Sequence, residues 1–185
     1  MHVLIIGTTE CGKTTLAKIL VRQWAARKGQ CLIFDPISKR WDNHNTYNDI
    51  DTYIAQAKKV RSHLLVIDES GTSLSRYDSQ HAWLATQSRH YGHSTIFITQ
   101  RANLLPPVIR NQCNKIFMFS TSIDDIETIA NEFNCPTIIS EERLQQFEFW
   151  SIGRFSPPQR LYVNPANGRY YLHGQGKKQP TTDES

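Results

Sequence analysis

The sequence predicts an α/β fold: a mainly parallel sheet of five core strands with helices on both faces, plus a small C-terminal extension carrying a β-hairpin. Three observations predict it. Short unbroken apolar runs recur along the chain, amphipathic helical stretches alternate with them, and the first run passes directly into a glycine-rich loop. Unbroken apolar strands need cover on both faces, which helical crossovers supply.

The first strand is residues 2–6, His-Val-Leu-Ile-Ile. From Thr14 onward, Leu16, Ile19, Leu20 and Trp24 fall on one helical face, and Arg27-Lys28-Gly29 reads as a helix C-terminus. Residues 31–34 are a second strand, ending at Asp35-Pro36. Residues 37–50, rich in Asn and Asp, read as a loop, and 51–61 as a helix with Ile54, Ala57 and Val60 on one side. Residues 64–67 and 95–98 are the third and fourth strands, separated by a helix over 79–91 that Gly92 closes; 115–119 is the fifth. Ser122-Ile-Asp-Asp125 fits a capping box, followed by Ile123, Ile126, Ile129, Ala130 and Phe133 at helical spacing. Residues 140–146 read as a short helix and 147–152 as a late strand. Residues 160–163 and 169–173 read as a hairpin around Asn164-Pro-Ala-Asn-Gly168. The expected division is a main domain over 1–152, a hairpin extension packed on it over 153–173, and a polar, disordered tail over 174–185.

With 185 residues, 39% hydrophobic and 21% charged, and a mean hydropathy of −0.48, the chain is neither collagenous, low-complexity nor wholly disordered. Its apolar runs of four or five residues are far short of the ~20 needed for a membrane helix. A strand that begins within two residues of the N-terminus leaves no room for a signal peptide, so export is not expected. Cys11, Cys31, Cys113 and Cys135 lie far apart without CxxC or zinc spacing, and read as reduced thiols. The net charge of +4 is uneven: residues 1–120 hold 15 Lys/Arg against 8 Asp/Glu, and residues 121–185 hold 6 against 9. A basic body suits a polyanionic partner, or is simply a solvated surface.

Gly7-Thr8-Thr9-Glu10-Cys11-Gly12-Lys13-Thr14 matches GxxxxGK[ST] between a strand and a helix, the context a phosphate-binding loop requires. Gly7 and Gly12 permit close backbone approach. The loop amides and the helix N-terminus, through Thr15, present positive charge to phosphate. Lys13 is the movable cation for the β- and γ-phosphates of ATP, and Thr14 is a magnesium ligand. For Cys11 the choice is between a regulatory thiol and a residue of which only the backbone matters. The strand at 64–67 ends in Asp68-Glu69. Ligands bind at the carboxyl ends of parallel strands, so two neighbouring strand tips are expected to bring Lys13, Thr14 and the two acids around one Mg²⁺-ATP. Asp68 would hold the metal through its water shell, and Glu69 would act as general base on the attacking water. Gln100, closing Thr95-Ile-Phe-Ile-Thr-Gln, is placed to sense the γ-phosphate or is an ordinary strand end. Arg89 is a phosphate-pairing guanidinium or a surface arginine.

These residues together resemble the FtsK–HerA superfamily of P-loop DNA-pumping ATPases, most closely its small viral genome-packaging branch. The resemblance covers about residues 2–119. It rests on the phosphate loop, Phe34-Asp35-Pro36, residues 64–69, the stretch from Ser88 to Gln100, and Leu104-Leu-Pro-Pro-Val-Ile-Arg-Asn111. It implies a RecA-like core and a ring, expected to have six subunits, around double-stranded DNA. It further implies Glu69 as catalytic glutamate, Gln100 as sensor, and Arg89 as an arginine finger reaching a neighbour's ATP, with Arg76 and Arg110 as alternatives. The implied protein pumps DNA into a preformed capsid, acts in the host-cell cytoplasm and at the packaging vertex of the virion, and docks on capsid vertex proteins. Lys39-Arg40-Trp41, two cations beside an aromatic in a long loop, is a candidate DNA grip, or a solvated loop. Residues 120–185 carry no motif that matches. The competing readings are a filamentous-phage-type assembly ATPase exporting single-stranded DNA, which would carry a membrane span, a small-molecule P-loop kinase, and a non-catalytic nucleotide switch.

Overall fold

The computed structural model describes residues 1–37, 41, 44, 46–74, 78–140 and 143–173. The N-terminal half runs β1 (His2–Ile6), α1 (Lys13–Ala26), β2 (Cys31–Phe34), β3 (Thr46–Tyr47), α2 (Ile50–Lys59), β4 (Leu64–Ile67) and α3 (Ser70–Ser73). Then come α4 (Ser79–Thr86), β5 (Ser94–Thr99), α5 (Pro107–Gln112), β6 (Lys115–Met118) and α6 (Ile123–Glu132), before β7 (Glu148–Gly153), β8 (Ser156–Asn164) and β9 (Arg169–Leu172).

One sheet of nine strands, ordered β3-β2-β4-β5-β1-β6-β7-β8-β9, runs through the molecule. The five expected core strands are all parallel, with register pairs such as Ile6↔Thr99 and Ile67↔Phe97. The sheet is larger than five strands because β3 joins one edge from inside the expected loop, and β7–β9 continue the other edge antiparallel. Alternate residues of each strand face opposite cores. Leu4, Ile6, Leu65, Ile67 and Phe97 pack with α2, α4, α5 and α6; Val3, Ile5, Val66, Ile96 and Ile98 pack with α1. Helices therefore cover both faces, but α1 alone covers one of them.

Several local expectations change. The helix over 79–91 is two pieces, α4 and a 3₁₀ turn Ser88–Tyr91. Thr86 Oγ1 and Ser88 Oγ donate back to the carbonyls of Ala82 and Leu84, competing with the helical ladder at the break. Residues 143–147 are not helical; the helical turn lies earlier, at Pro136–Ile139. At the end of α1 the left-handed residue is Lys28 (φ 60°), not Gly29. Gly29 is small because a Cβ there would meet Trp24 Nε1 at 2.2 Å. The capping box is half formed. Ser122 Oγ accepts the Asp125 amide, whereas the Asp125 carboxylate turns to the Ala102 amide and the Arg101 guanidinium at 3.0 Å each.

Candidate active site

β1 delivers the glycine-rich loop and β4 delivers Asp68-Glu69, but their tips are not neighbours: β5 lies between them. The consequence is chemical. The residue at the tip of the intervening strand, Gln100, stands between the phosphate loop and the acid pair, and its Nε2 donates to Glu69 Oε2 at 3.5 Å. A cleft of about 500 Å³ opens there, lined by Thr9, Glu10, Gly12, Lys13, Thr14, Thr15, Asp68, Glu69 and Gln100, with Ile37 and Phe147.

Gly12 caps α1 in the left-handed region (φ 116°), and α1 has neither a side-chain cap nor an acid in its first turn. The helices α2, α4 and α6 are each capped by a side chain, from Asp49, Asp78 and Ser122. The first amides of α1 are thus left for an external acceptor, where the helix dipole favours an anion. Lys13 Nζ, at the mouth, donates to the Thr8 carbonyl at 2.6 Å.

Three of the expected loop residues face the protein instead of the cleft. The Thr8 amide and hydroxyl both donate to the Ser120 carbonyl beyond β6, at 2.9 and 3.2 Å. Gly7 is pressed close: a Cβ there would lie 2.6 Å from Phe119 Cβ and 2.8 Å from Cys11 Sγ. Cys11 is buried, and burial pushes its thiol above the ordinary range, so it stays protonated.

The acid pair is held by its own strand end. Asp68 is buried, and burial, with the Asp35 and Glu69 carboxylates adding to it, raises its pKa. The amide of Glu69 and the indole of Trp41 oppose that rise by donating to the two carboxylate oxygens at 3.0 and 3.3 Å. Glu69 sits at φ 51°, a left-handed backbone that costs on the order of 1–3 kcal/mol and clusters at functional sites. Just beyond it Ser70 Oγ donates to the Ile98 carbonyl at 2.8 Å, and a Cβ on Gly71 would meet Thr99 Oγ1 at 2.4 Å. The chain after β4 is therefore folded tightly against the β5 tip, which sets the distance between Glu69 and Gln100.

The donor set fits a magnesium-bound triphosphate. It offers free amides and an ammonium for phosphate, a hydroxyl (Thr14), and a buried carboxylate whose charge a cation would relieve. Among the described residues no cluster of three or more His, Cys, Asp and Glu forms. The small set of one hydroxyl and one carboxylate suits Mg²⁺, which keeps waters and phosphate oxygens as its other ligands.

The other expected residues divide. Trp41 is buried and bonded to Asp68, so it is not a DNA-facing aromatic; Lys39 and Arg40 lie outside the described residues, as does Arg76. Arg110 is no finger: it is 6% exposed, with its guanidinium bonded to Glu132 and to the carbonyls of Ala102 and Leu105. Arg89 is exposed beyond the opposite, N-terminal ends of the core strands, close enough to His2 for its charge to act on that ring. It stands roughly the length of β1, about 15 Å, from its own cleft.

Two contributors had no sequence signal. Gln146 Nε2 donates to the Glu10 carbonyl at 3.1 Å and the Phe147 amide to the Cys11 carbonyl at 3.0 Å. With Ser120, they show that the motif-free C-terminal part holds the phosphate loop from behind.

The model of the ATPase family associated with various cellular activities (AAA) matches residues 3–121. The chain belongs to this family. By sequence alone, no curated protein matches it. Its fold is shared by the genome packaging NTPase B204 of Sulfolobus turreted icosahedral virus 2, at a TM-score of 0.74 and 20% identity over 85% of this chain and 94% of that one. B204 has also been solved with AMPPCP. The conjugation coupling protein TcpA of pCW3 matches at 0.66 and 13% identity, over 86% of this chain and 58% of that one. The cytoplasmic domain of the type VII secretion ATPase EccC of Thermomonospora curvata matches at 0.63 and 16% identity, over 87% and 23%. At these identities the matches show a shared fold. Among the described residues no helix is long and apolar enough to cross a membrane.

Proposed function

We propose that this chain is the ATPase subunit of a DNA translocase that packages a viral genome. The observation that carries the catalytic part is the Glu69–Gln100 contact beside an uncapped phosphate-loop helix. Bound there, Mg²⁺ would hold the triphosphate and offset its charge. Lys13 and the α1 amides bind the phosphates, Thr14 and Asp68 hold the metal, Glu69 takes the proton of the attacking water, and Gln100 links that base to β5. The adjacent Asp68-Glu69 pair and Gln100 beside the cleft favour water over a small-molecule acceptor, which weighs against a kinase.

The DNA part rests on the fold shared with a genome packaging NTPase and a conjugation coupling protein, on the family motifs of residues 88–100, and on the basic N-terminal two thirds. The subunits form a ring, six in number, assembled at a capsid vertex around double-stranded DNA. Arg89, far from its own cleft and exposed, serves the cleft of the next subunit. The test is ATP turnover of the purified chain titrated with duplex and single-stranded DNA at two salt concentrations. Stimulation by duplex, weakening with salt, is expected. Turnover indifferent to both, or stimulated by single strands alone, overturns the packaging assignment.

A further inference from the structure

Residues 11–34 contain five Lys and Arg (Lys13, Lys18, Arg22, Arg27, Lys28) and no Asp or Glu. Lys13 belongs to the cleft; the other four do not. Because α1 turns Leu16, Ala17, Ile19 and Val21 inward, Lys18 and Arg22, spaced i and i+4, fall on its outer side. Arg27 and Lys28 follow at its end, both exposed. The β8–β9 turn lies alongside: Arg22 Nη1 comes within 3.0 Å of where a Cβ on Gly168 would stand, and Arg169 is exposed at the start of β9.

Among the described residues none of Lys18, Arg22, Arg27, Lys28 and Arg169 is in an ion pair, whereas Arg101, Arg110 and Arg160 each hold a carboxylate. The helix dipole accounts for cations at the end of α1. It does not account for Arg22 in the middle, which is exposed and like-charged with Lys18 at i,i+4, an arrangement that destabilises the helix; Lys18 itself is half-buried, with its Nζ 6.0 Å from the centre of the Trp41 ring. None of the exposed large hydrophobic residues lies on α1 itself; Tyr170 and Leu172 on the adjoining β9 are the exposed apolar side chains beside it, so a lipid surface is the alternative that the vesicle arm of the test addresses. Four residues advance ~6 Å along the helix axis, close to two ~3.4 Å steps of one DNA strand.

We propose that the outer face of α1, with the β8–β9 turn, is a sequence-independent contact surface for the phosphate backbone of duplex DNA. The assignment rests on the translocase reading above and places a DNA grip on the same rigid helix whose N-terminus receives the nucleotide.

The experiment is fluorescence anisotropy of a labelled duplex of about 30 base pairs with the full chain, across roughly 50–200 mM salt. The chains compared are wild type, Lys18→Gln/Arg22→Gln, and the control Lys58→Gln/Lys59→Gln on α2. With both cations neutralised, the slope of log K on log salt becomes shallower by about 1.8, and affinity at 0.1 M falls on the order of tenfold to a hundredfold. The melting temperature holds and the control keeps the wild-type slope. An unchanged slope in the α1 variant, or an equal loss in the control, overturns the surface while leaving the translocase reading intact. Wild-type protein that does not bind duplex overturns both. A loss seen only on phosphatidylserine vesicles, with duplex binding intact, assigns the face to lipid and overturns the proposal.

Discussion

Glu69 is the residue on which the proposed chemistry turns. Its backbone is strained, its carboxylate touches Gln100, and it lines the cleft. Glu69→Gln keeps the shape and removes the base, so hydrolysis is expected to fall by about 10²–10⁴-fold while ATP still binds. Single-turnover hydrolysis and equilibrium nucleotide binding, measured together, check this; wild-type turnover removes the general-base role. Trp41 acts one layer back, by holding one oxygen of Asp68. Trp41→Phe keeps the ring and removes the N–H. The Mg²⁺ concentration needed for half-maximal nucleotide binding should rise about tenfold, with nucleotide affinity in EDTA unchanged. An equal loss with and without Mg²⁺ would mean that Trp41 only packs. The sequence marked Trp41 as an aromatic among cations, which suggested DNA. Which way its indole points is settled by Asp68, at the end of a different strand, and no local pattern encodes that.

Among the elements, the strand ends opposite the cleft carry an acid sensitivity. The His2 ring is buried at the start of β1, and burial, with the Met1 ammonium and the Arg89 guanidinium adding to it, pushes its pKa down to about 4. His93 is lowered too, first by burial. Its Nδ1 accepts the His63 amide at 3.0 Å, so protonation must break that bond. Both groups bind protons more readily when unfolded. Their contribution is therefore complete above about pH 6.5 and is lost as the pH falls, His2 alone removing up to about 3 kcal/mol by pH 4. Urea unfolding at pH 7.5 and at pH 5 should show this loss, and His2→Phe should flatten part of it; an unchanged pH slope in the variant removes His2 as a source. The elements themselves were largely legible, because parallel strands buried on both faces leave unbroken apolar runs. The short ones were not. β3 has two residues and α3 four, too few for a period, and the break after α4 comes from hydroxyls bonding back to the helix.

Across the molecule as a whole, Arg89 and its own Glu69 stand at opposite ends of the core strands. If the proposed ring forms, Arg89→Ala is expected to be inactive alone and to regain part of its turnover when mixed with Glu69→Gln subunits, since mixed assemblies then contain interfaces with both groups intact. Steady-state ATPase across mixing ratios checks this, and a strictly additive, inactive mixture argues against a finger in trans. The sheet also shows why the C-terminal third had no readable role. Ser120 and Phe147 serve the phosphate loop through a backbone carbonyl and a backbone amide, which carry no residue signature, and Gln146 through a side-chain amide that no local pattern marks.

Residue order was enough to define the chemistry of the cleft: a glycine-bounded loop, an ammonium, a hydroxyl and two acids, each at the end of a recognisable strand or start of a helix. These are local facts, written in spacing. Folding had to supply the rest: that β5 separates the two strands bearing them, that Gln100 thereby meets Glu69, and that Trp41 turns inward to Asp68. Strand order is set by which apolar faces bury best together across the whole sheet, and that competition is not written in any one segment.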